Sequence, residues 1–273
     1  MCNTSEKYHY LVEYRIPQPY TLEEYERGYF YTHQEFGKEQ TGGGGGILYN
    51  IRKQIEDPVM GKGHYTEKTY YLEKKLPSTL KVITPKKLQK AFNIFETSRS
   101  FANYTVTEYV SLTTDVIGEK TFKITLESKQ CSEQTDNAFD LSEECLKRRE
   151  IRYIDFTSDI HSKDYNEKTD PLKIYSQKAG RGHFQKGSIE AIQPLIWVYK
   201  LYTVRCTIPG VGLLKNTIFE STTRMFEVFY RLMFSLCDQW YDVSLDEIEE
   251  REERIKLELE QLFKDQNVRG IKD

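Results

Sequence analysis

His64-Tyr65-Thr66-Glu67-Lys68-Thr69-Tyr70-Tyr71-Leu72 is the stretch on which the predicted fold depends. Its aromatic and β-branched residues favour a strand, and the side chains of a strand alternate between two faces. Thr66, Lys68 and Tyr70 therefore share one face, which could hold an anionic group beside an apolar one. The same pattern also fits an edge strand whose outer face carries ordinary polar side chains in water. The strand by itself leaves both interpretations open.

The composition of the 273 residues indicates a folded chain with a large interior. Aromatic residues make up 13% of the chain, including 20 Tyr and 14 Phe, which is far more than a disordered chain carries. The formal net charge of -3 argues against a general nucleic-acid-binding protein, because such proteins need clustered excess Lys and Arg. The compact basic run Lys147-Arg148-Arg149 is interpreted as a solvated helix face.

The cysteines and the apolar runs indicate the cellular setting. The five cysteines are scattered and lack Cys-x-x-Cys spacing, so neither a disulfide framework nor a metal site is predicted. No apolar run approaches the roughly eighteen residues of a membrane span, and the N-terminal residues lack the apolar core of a signal peptide. We therefore predict a soluble cytoplasmic protein that is only transiently at membranes.

Upstream of the central strand, Tyr8 to Ile16 alternates as a strand, and Pro17 and Pro19 are expected to stop it. Thr21-Leu22-Glu23-Glu24 has the pattern of a capping box, which predicts that a helix begins there with Leu22, Tyr25 and Tyr29 on one face. The glycine run Gly42 to Gly46 is interpreted as a turning connector and not as a phosphate-binding loop. A phosphate loop would lead into a helix start or a Lys-Ser/Thr ending, and the run has neither.

Downstream of the central strand, Pro85 to Phe95 has the spacing of a helix with an apolar stripe, and Asn93 lies just off that stripe. Two further strands are predicted at about Tyr104 to Thr113 and Thr121 to Ser128. In the second of them, the hydroxyl of Ser128 ends an apolar row. The sheet is thus expected to present polar groups along with apolar ones.

The polar stretch from Lys129 to about Ile192 is interpreted as a long excursion from the core. It is expected to contain a helix near Ser142 to Arg149 and a strand from Arg152 to Phe156. Beyond it, Met225 to Trp240 repeats apolar residues at helical spacing, which predicts a long buried helix. That stripe is interpreted as core and not as a cofactor site.

Two charged residues fall inside apolar patterns near the C-terminus. Lys200 lies in an apolar row of the predicted strand Trp197 to Val204, so its ammonium group either reaches water or meets an anion. Ser244-x-x-Glu247 has the capping-box pattern that begins the last predicted helix, and Glu252 falls within the apolar stripe of that helix. The Glu252 carboxylate either faces inward or lies at the edge of the stripe in water.

The chain resembles the small, single-domain phosphatidylinositol transfer proteins over nearly its whole length. The matching segments are Glu24-Tyr25-x-x-Gly28, Thr41-Gly42-Gly43-Gly44, Gly63-x-Tyr65-Thr66-x-Lys68, Ala91-Phe92-Asn93, Tyr153-Ile154-Asp155, Ser162-Lys163-Asp164-Tyr165, Gly180-Arg181-Gly182, Tyr199-Lys200-Leu201, and Trp240 with the helix to Glu252. So many ordered segments at compatible spacing make chance agreement very improbable.

The resemblance implies an α+β fold of the helix-grip, START-like type, in which a curved, mostly antiparallel sheet and long helices enclose a lipid cavity. It implies one phospholipid-transfer domain over residues 1–273. Within it, the lipid-binding core covers about 1–130 and 193–240, a regulatory-type loop region covers about 131–192, and a C-terminal lid helix covers about 241–273.

The resemblance also implies the residues that hold the lipid headgroup. By the matching motifs, the inositol ring is bound by Thr66, Lys68, Asn93 and Glu252. Such a combination suits a polyol, because hydroxyl, ammonium, amide and carboxylate groups together supply several hydrogen-bond donors and acceptors. The predicted phosphate-binding residues are Ser100, Ser128, Lys200 and Tyr29, where Tyr29 stands in place of a glutamine of better-known members.

Two other regions are assigned through the resemblance. An apolar loop replaces the tandem tryptophan with which family members dock on membranes, and its predicted membrane-contact residues are Ile208, Pro209, Val211, Leu213 and Leu214. Ser176 corresponds to a serine that is phosphorylated for regulation in the family.

The function implied is a monomeric carrier that exchanges phosphatidylinositol and phosphatidylcholine between membranes, with no cofactor and no covalent chemistry. An alternative is an adaptor that presents inositol lipid to lipid kinases with little bulk transfer. A third class is an enzyme that uses Lys68 and Glu252 as acid and base. That class is disfavoured, and no catalytic residue is assigned, because no nucleophile, metal cluster or catalytic histidine accompanies the two residues.

Overall fold

The computed structural model of the chain describes residues 10–76, 81–82, 85–112, 122–206 and 215–270. These residues fall into two units. The sheet unit comprises described residues within Met1–Arg15, Gly45–Tyr153 and Trp197–Lys215, and the helical unit comprises those within Ile16–Gly44, Ile154–Ile196 and Asn216–Asp273. The assignment of 1–273 to one domain stays a prediction.

The described strands are β1 (Tyr10–Gln18), β2 (Gly46–Asp57), β3 (Gly61–Tyr71), β4 (Asn93–Phe101), β5 (Tyr104–Ser111), β6 (Phe122–Cys131), β7 (Glu150–Tyr153), β8 (Tyr175–Ser176), β9 (Arg181–Gly182) and β10 (Ile196–Cys206). Eight of them form one sheet with the order β2-β3-β4-β5-β6-β10-β1-β7, and β8 and β9 pair separately. Neighbours from β2 through β10 are antiparallel, whereas β7 joins β1 in parallel.

The helices of the described residues are α1 (Leu22–Glu39), α2 (Lys86–Gln89), α3 (Glu143–Arg148), α4 (Lys215–Ser235), α5 (Cys237–Trp240) and α6 (Leu245–Lys264). Three of them, α1, α4 and α6, are between 18 and 21 residues long. The long helices and the mostly antiparallel sheet confirm the predicted α+β class and are consistent with a helix-grip fold.

Both predicted capping boxes are confirmed. At the start of α1, the Glu24 amide donates to Thr21 Oγ1 at 3.2 Å and the Thr21 amide donates to the Glu24 carboxylate at 2.8 Å. The same reciprocal pair joins Ser244 and Glu247 at the start of α6. These pairs satisfy amide groups that the first helical turn leaves without intrahelical partners. Of the three residues predicted to share one face of α1, Tyr25 is buried, whereas Leu22 in the first turn is 41% exposed.

The glycine run turns as predicted. Gly43 and Gly44 have φ angles of +64° and +69°, which glycine adopts without steric cost. Their amide groups donate to the carbonyl oxygens of Asp265 and Phe263, at 2.8 and 3.0 Å. The connector thereby satisfies carbonyl groups at the C-terminal end of α6, which the helix itself cannot pair.

Several predicted boundaries differ from the structure. The first strand passes Pro17 and ends at Gln18, directly before Pro19, and the strand predicted over Arg152 to Phe156 is observed at Glu150–Tyr153. The helix predicted over Pro85 to Phe95 is replaced by α2, a short 3-10 turn at Lys90–Phe92, and β4, which begins at Asn93. The apolar residues recur at helical spacing there, but pairing of β4 with β3 and β5 on both sides overrides that local preference.

We predict that Gly63→Ala loosens the β3–β4 pair. A Cβ atom at Gly63 would lie 2.6 Å from Phe101 Cδ1 and would also collide with the main-chain oxygen of Ser100. Relief needs movement of backbone, so the free energy of unfolding should fall by about 1–3 kcal/mol. That loss exceeds the gain of about 0.4–1 kcal/mol from a less flexible unfolded chain.

Denaturant unfolding measures the effect of Gly63→Ala. The matched control is Lys62→Ala, which shortens an exposed side chain at the neighbouring position. An unfolding free energy of Gly63→Ala equal to that of the control would contradict the close approach of the two strands.

Candidate functional site

One face of the sheet unit gathers most of the predicted lipid-binding residues. Residues directly opposite each other in paired strands share a face, so the strand register defines rows of side chains across the sheet. The first row, here called the anion row, contains Ser100, Thr105, Ser128 and Lys200 as successive opposite residues of β4, β5, β6 and β10. Two further rows follow along the same face, each about 7 Å from the last.

The hydroxyl row contains Thr66, Ser98 and Thr107, which lie opposite one another on β3, β4 and β5. The Oγ atoms of Ser98 and Thr107 are 2.9 Å apart and hydrogen-bonded, and both side chains are buried. The charged row contains Lys68, Glu96 and Tyr109 on the same three strands. Together the three rows form what is called here the polar face.

Lys200 is the most buried charged residue of the polar face, with only 2% of its surface exposed. The alternative in which its ammonium group reaches water is therefore excluded. Lys200 Nζ donates to Ser128 Oγ at 3.5 Å, and along the same row Thr105 Oγ1 donates to Ser100 Oγ at 3.2 Å. Burial disfavours the charged form and lowers the pKa of Lys200 to about 8. A phosphate beside Lys200 would counter that penalty.

The charged row is built around Glu96, which is 4% exposed. Lys68 Nζ lies 3.6 Å from one of its carboxylate oxygens, and the Tyr70 hydroxyl donates to the other at 2.5 Å. Lys68 also lies 5.1 Å from the centroid of the Tyr49 ring, within the range of a cation–π interaction. Burial and the neighbouring Glu96 raise the pKa of Tyr70 well above its ordinary value, so its hydroxyl stays a donor.

Asn93 does not share the face of the sheet on which Thr66 and Lys68, the other predicted inositol contacts of the sheet unit, lie. Asn93 lies opposite Tyr71 at the start of β4, and by strand alternation it belongs to the other face. Its side chain accepts a hydrogen bond from the Glu73 amide at 3.1 Å and donates to the Glu73 carboxylate at 3.5 Å. Asn93 therefore fastens the 3-10 turn Glu73–Lys75, which follows β3, to the start of β4.

The remaining predicted residues lie in the helical unit or outside the description. Tyr29 is on α1, where its ring stacks on that of Tyr25 with centroids 5.7 Å apart. Glu252 is a partly exposed residue of α6. The membrane-contact residues predicted in the loop 208–214 lie outside the described residues.

Ser176, the predicted phosphorylation site, is buried in the helical unit with 2% of its surface exposed. Its hydroxyl donates to the Asp238 carboxylate at 2.5 Å, and the same carboxylate accepts the backbone amides of Gln177 and Lys178. The hydroxyl also accepts a hydrogen bond from the Ala179 amide at 3.1 Å. A modifying enzyme would reach this oxygen only after these contacts open.

Sequence reasoning missed Glu96, Thr105 and Thr107 as members of the polar face. The helix predicted over Pro85 to Phe95 covered the first residues of β4, and no strand was predicted through Glu96 and Ser98. The two threonines lie in a correctly predicted strand, but only the register with β4 and β6 shows which face they join.

Within the described ranges, no group of three or more His, Cys, Asp or Glu side chains is arranged to hold a metal ion. In the part of the chain that the structure covers, no helix is both long enough and apolar enough to cross a bilayer.

Comparison with known proteins supports the family resemblance. Residues 9–257 match the family model described as phosphatidylinositol transfer protein. A Xenopus tropicalis protein named cytoplasmic phosphatidylinositol transfer protein 1 is 33% identical over 244 residues, covering 89% of this chain and 72% of the relative. Phosphatidylinositol transfer protein 1 of Dictyostelium discoideum is 30% identical over 267 residues, covering 93% and 97% of the two chains. The human phosphatidylinositol transfer protein beta isoform is 28% identical over 270 residues, which cover 94% of this chain and 96% of the relative.

Proposed function

This chain belongs to the phosphatidylinositol transfer protein family, and we propose that it binds one phosphatidylinositol or phosphatidylcholine molecule and exchanges it between membranes. The observation that carries the proposal is the anion row, in which three hydroxyl groups lead to the buried Lys200. Burial lowers the pKa of Lys200, and an anionic ligand beside it would offset the cost of burying its charge. Lys200 in particular favours a ligand with an anionic group.

The order of the three rows suits a phospholipid headgroup. We assign the lipid phosphate to the anion row, where Ser100 and Ser128 supply hydroxyl groups and Lys200 supplies the charge. The inositol ring would then lie along the hydroxyl and charged rows, where Thr66 and Lys68 meet its hydroxyl groups. The predicted contacts Asn93, Glu252 and Tyr29 are left out of this assignment, because Asn93 belongs to the other face of the sheet and the other two residues lie in the helical unit.

The acyl chains explain why a carrier must cover its cargo. Exposing a methylene group to water costs about 0.8 kcal/mol, so two acyl chains with roughly thirty methylenes in all would cost on the order of 20 kcal/mol. No set of headgroup hydrogen bonds could offset that cost. Transfer therefore requires a covered lipid and an opening step at the membrane surface, and it leaves the lipid covalently unchanged, so that the protein is a carrier and not an enzyme.

Lipid extracted from the purified protein and analysed by mass spectrometry tests the proposal, together with vesicle-to-vesicle transfer by the protein alone. We expect unmodified phosphatidylinositol or phosphatidylcholine at about one molecule per protein, and transfer that needs no second protein. Bound inositol lipid with negligible transfer would instead favour the adaptor that presents this lipid to kinases. A chemically altered lipid would favour an enzyme, and an empty protein without transfer would overturn the proposal.

We predict that the affinity for lipid falls as the pH rises above about 8. In the lipid-free protein the pKa of Lys200 is about 8, and a bound phosphate stabilises the ammonium form and raises that pKa. Above pH 8, binding must therefore take up a proton, so the affinity should fall by up to about tenfold per pH unit. Below pH 8 the ammonium is already present, so Lys200 contributes no further pH dependence.

Uptake of fluorescent phosphatidylcholine between pH 6.5 and 9.5 measures this dependence, because neither charge of that lipid titrates in the range. In Lys200→Met the fall in affinity that the wild-type protein shows above pH 8 should be lost. A wild-type profile as flat as that of the variant would show that Lys200 does not meet the phosphate.

A further inference from the structure

Glu96 is a buried carboxylate at the centre of the polar face that the predicted headgroup contacts do not include. It lies directly opposite Lys68 on one side and Tyr109 on the other. Both of its oxygens have partners on the same face, the Lys68 ammonium at 3.6 Å and the Tyr70 hydroxyl at 2.5 Å. The carboxylate is therefore held in place by side chains of the site itself.

The charged row contains one positive and one negative group. Across the sheet it consists of Tyr49, Lys68, Glu96, Tyr109, Ile124 and Val204 on β2 to β6 and β10. Among these six residues only Lys68 and Glu96 are charged. The cation of this row is thus neutralised within the protein, whereas Lys200 in the anion row lies opposite the neutral Ser128.

This difference between the rows has a chemical consequence for the headgroup. A phosphodiester at the anion row adds one negative charge beside Lys200. A second phosphate at the charged row would lie beside the Glu96 carboxylate in a buried setting, where like charges repel strongly. A ring hydroxyl at the same place can instead donate to Glu96 and accept from Lys68.

We propose that Glu96 is a specificity-determining residue that admits the uncharged inositol ring and rejects inositol lipids that carry a phosphate on the ring. The inference rests on the proposed function, since it assumes that the headgroup lies on the polar face. Glu96 acts here by direct contact with the ring and by its charge. A residue that merely positioned Lys68 would affect binding of inositol lipid without changing which inositol lipids are accepted.

The substitution Glu96→Gln removes the charge and keeps the size, and it keeps an oxygen that can accept from Tyr70. The matched control is Glu67→Gln. Glu67 is adjacent to Lys68 on β3 but on the opposite face, and it accepts the Tyr65 hydroxyl at 2.7 Å. Both variants lose one negative charge and alter one tyrosine–carboxylate hydrogen bond, and only Glu96→Gln changes the polar face.

Each protein is incubated with vesicles of phosphatidylcholine that contain equal amounts of phosphatidylinositol and a phosphatidylinositol monophosphate, and its bound lipid is counted by mass spectrometry. The wild-type protein and Glu67→Gln should exclude the monophosphate. For Glu96→Gln, the ratio of monophosphate to phosphatidylinositol should rise at least about tenfold, which corresponds to 1.4 kcal/mol of relieved repulsion. Glu96→Thr, uncharged and strand-forming, serves as a second variant should Glu96→Gln fail to carry phosphatidylcholine.

The phosphatidylcholine bound in the same experiment distinguishes a failure of the proposed function from a failure of the role assigned to Glu96. Wild-type protein without phosphatidylcholine or phosphatidylinositol would overturn the proposed function itself. Retained phosphatidylcholine with an unchanged ratio in Glu96→Gln would overturn only the role of Glu96. Loss of phosphatidylinositol without gain of the monophosphate would also overturn it, since Glu96 would then only position Lys68.

Discussion

Thr66→Asp and Lys68→Ala are each expected to abolish transfer of phosphatidylinositol while transfer of phosphatidylcholine continues. Both residues lie on the polar face at the rows assigned to the inositol ring, two strand positions apart. An aspartate at 66 would add a second carboxylate near Glu96 and attract the Lys68 ammonium away from the ring. Lys68→Ala removes that ammonium and leaves the buried Glu96 without its ion-pair partner.

The expected size follows from the groups that are lost. A hydrogen bond to a charged group contributes about 1.5–3 kcal/mol, so retention of inositol lipid should weaken by roughly 10–200-fold. Phosphatidylcholine has no ring hydroxyls, so its transfer by both variants should continue. Labelled phosphatidylinositol and phosphatidylcholine followed in one vesicle assay measure both, and Lys62→Ala on the same strand is the control. Equal loss of the two lipids would refute the assignment of Thr66 and Lys68 to the headgroup.

Lys200→Met is expected to weaken binding of both lipids, because the phosphate is common to them. Removal of the ammonium takes away the charge of the anion row, and we expect a loss of roughly 10–200-fold for each lipid. The substitution should not reduce the stability of the fold. Methionine has a similar length and no charge, so the free energy of unfolding of the lipid-free protein should stay the same or rise.

Transfer of each lipid and denaturant unfolding of the lipid-free variant separate these two effects. Lys123→Met is the control, because Lys123 lies on β6 with a 39% exposed side chain that pairs with Glu108 at 2.6 Å. If Lys200→Met lost phosphatidylinositol alone, Lys200 would belong to the ring contacts. If it kept both lipids, the anion row would not hold the phosphate.

Local signals in the sequence predicted those elements whose cause is local. The capping boxes at Thr21 and Ser244 and the strand around Thr66 depend on neighbouring residues only, and the structure contains all of them. The segment after Pro85 behaves differently. Its apolar residues repeat as in a helix, but from Asn93 onward the backbone bonds to strands that are close in space on both sides. Hydrophobic spacing carries no information on that pairing.

In the candidate site too, some residues could be predicted from local patterns, whereas others depend on how the strands pair. Alternation alone places Thr66 and Lys68 on one face, and the resemblance adds Ser100, Ser128 and Lys200, which the register brings onto that face. Glu96 could not be found in this way. Its role depends on lying opposite Lys68, and this position is a property of the strand register and not of either strand alone.

The burial of Lys200 also bears on how cargo leaves the carrier. On the proposed function, an empty protein holds this ammonium away from both water and lipid phosphate, so cargo stabilises the folded chain by mass action. The empty form is then the high-energy member of the cycle. At a membrane, exchange of the bound lipid for another lipid is therefore favoured over release that leaves the protein empty. Such a protein couples delivery to retrieval: it equalises the lipid composition of two membranes and leaves the amount of lipid in each unchanged.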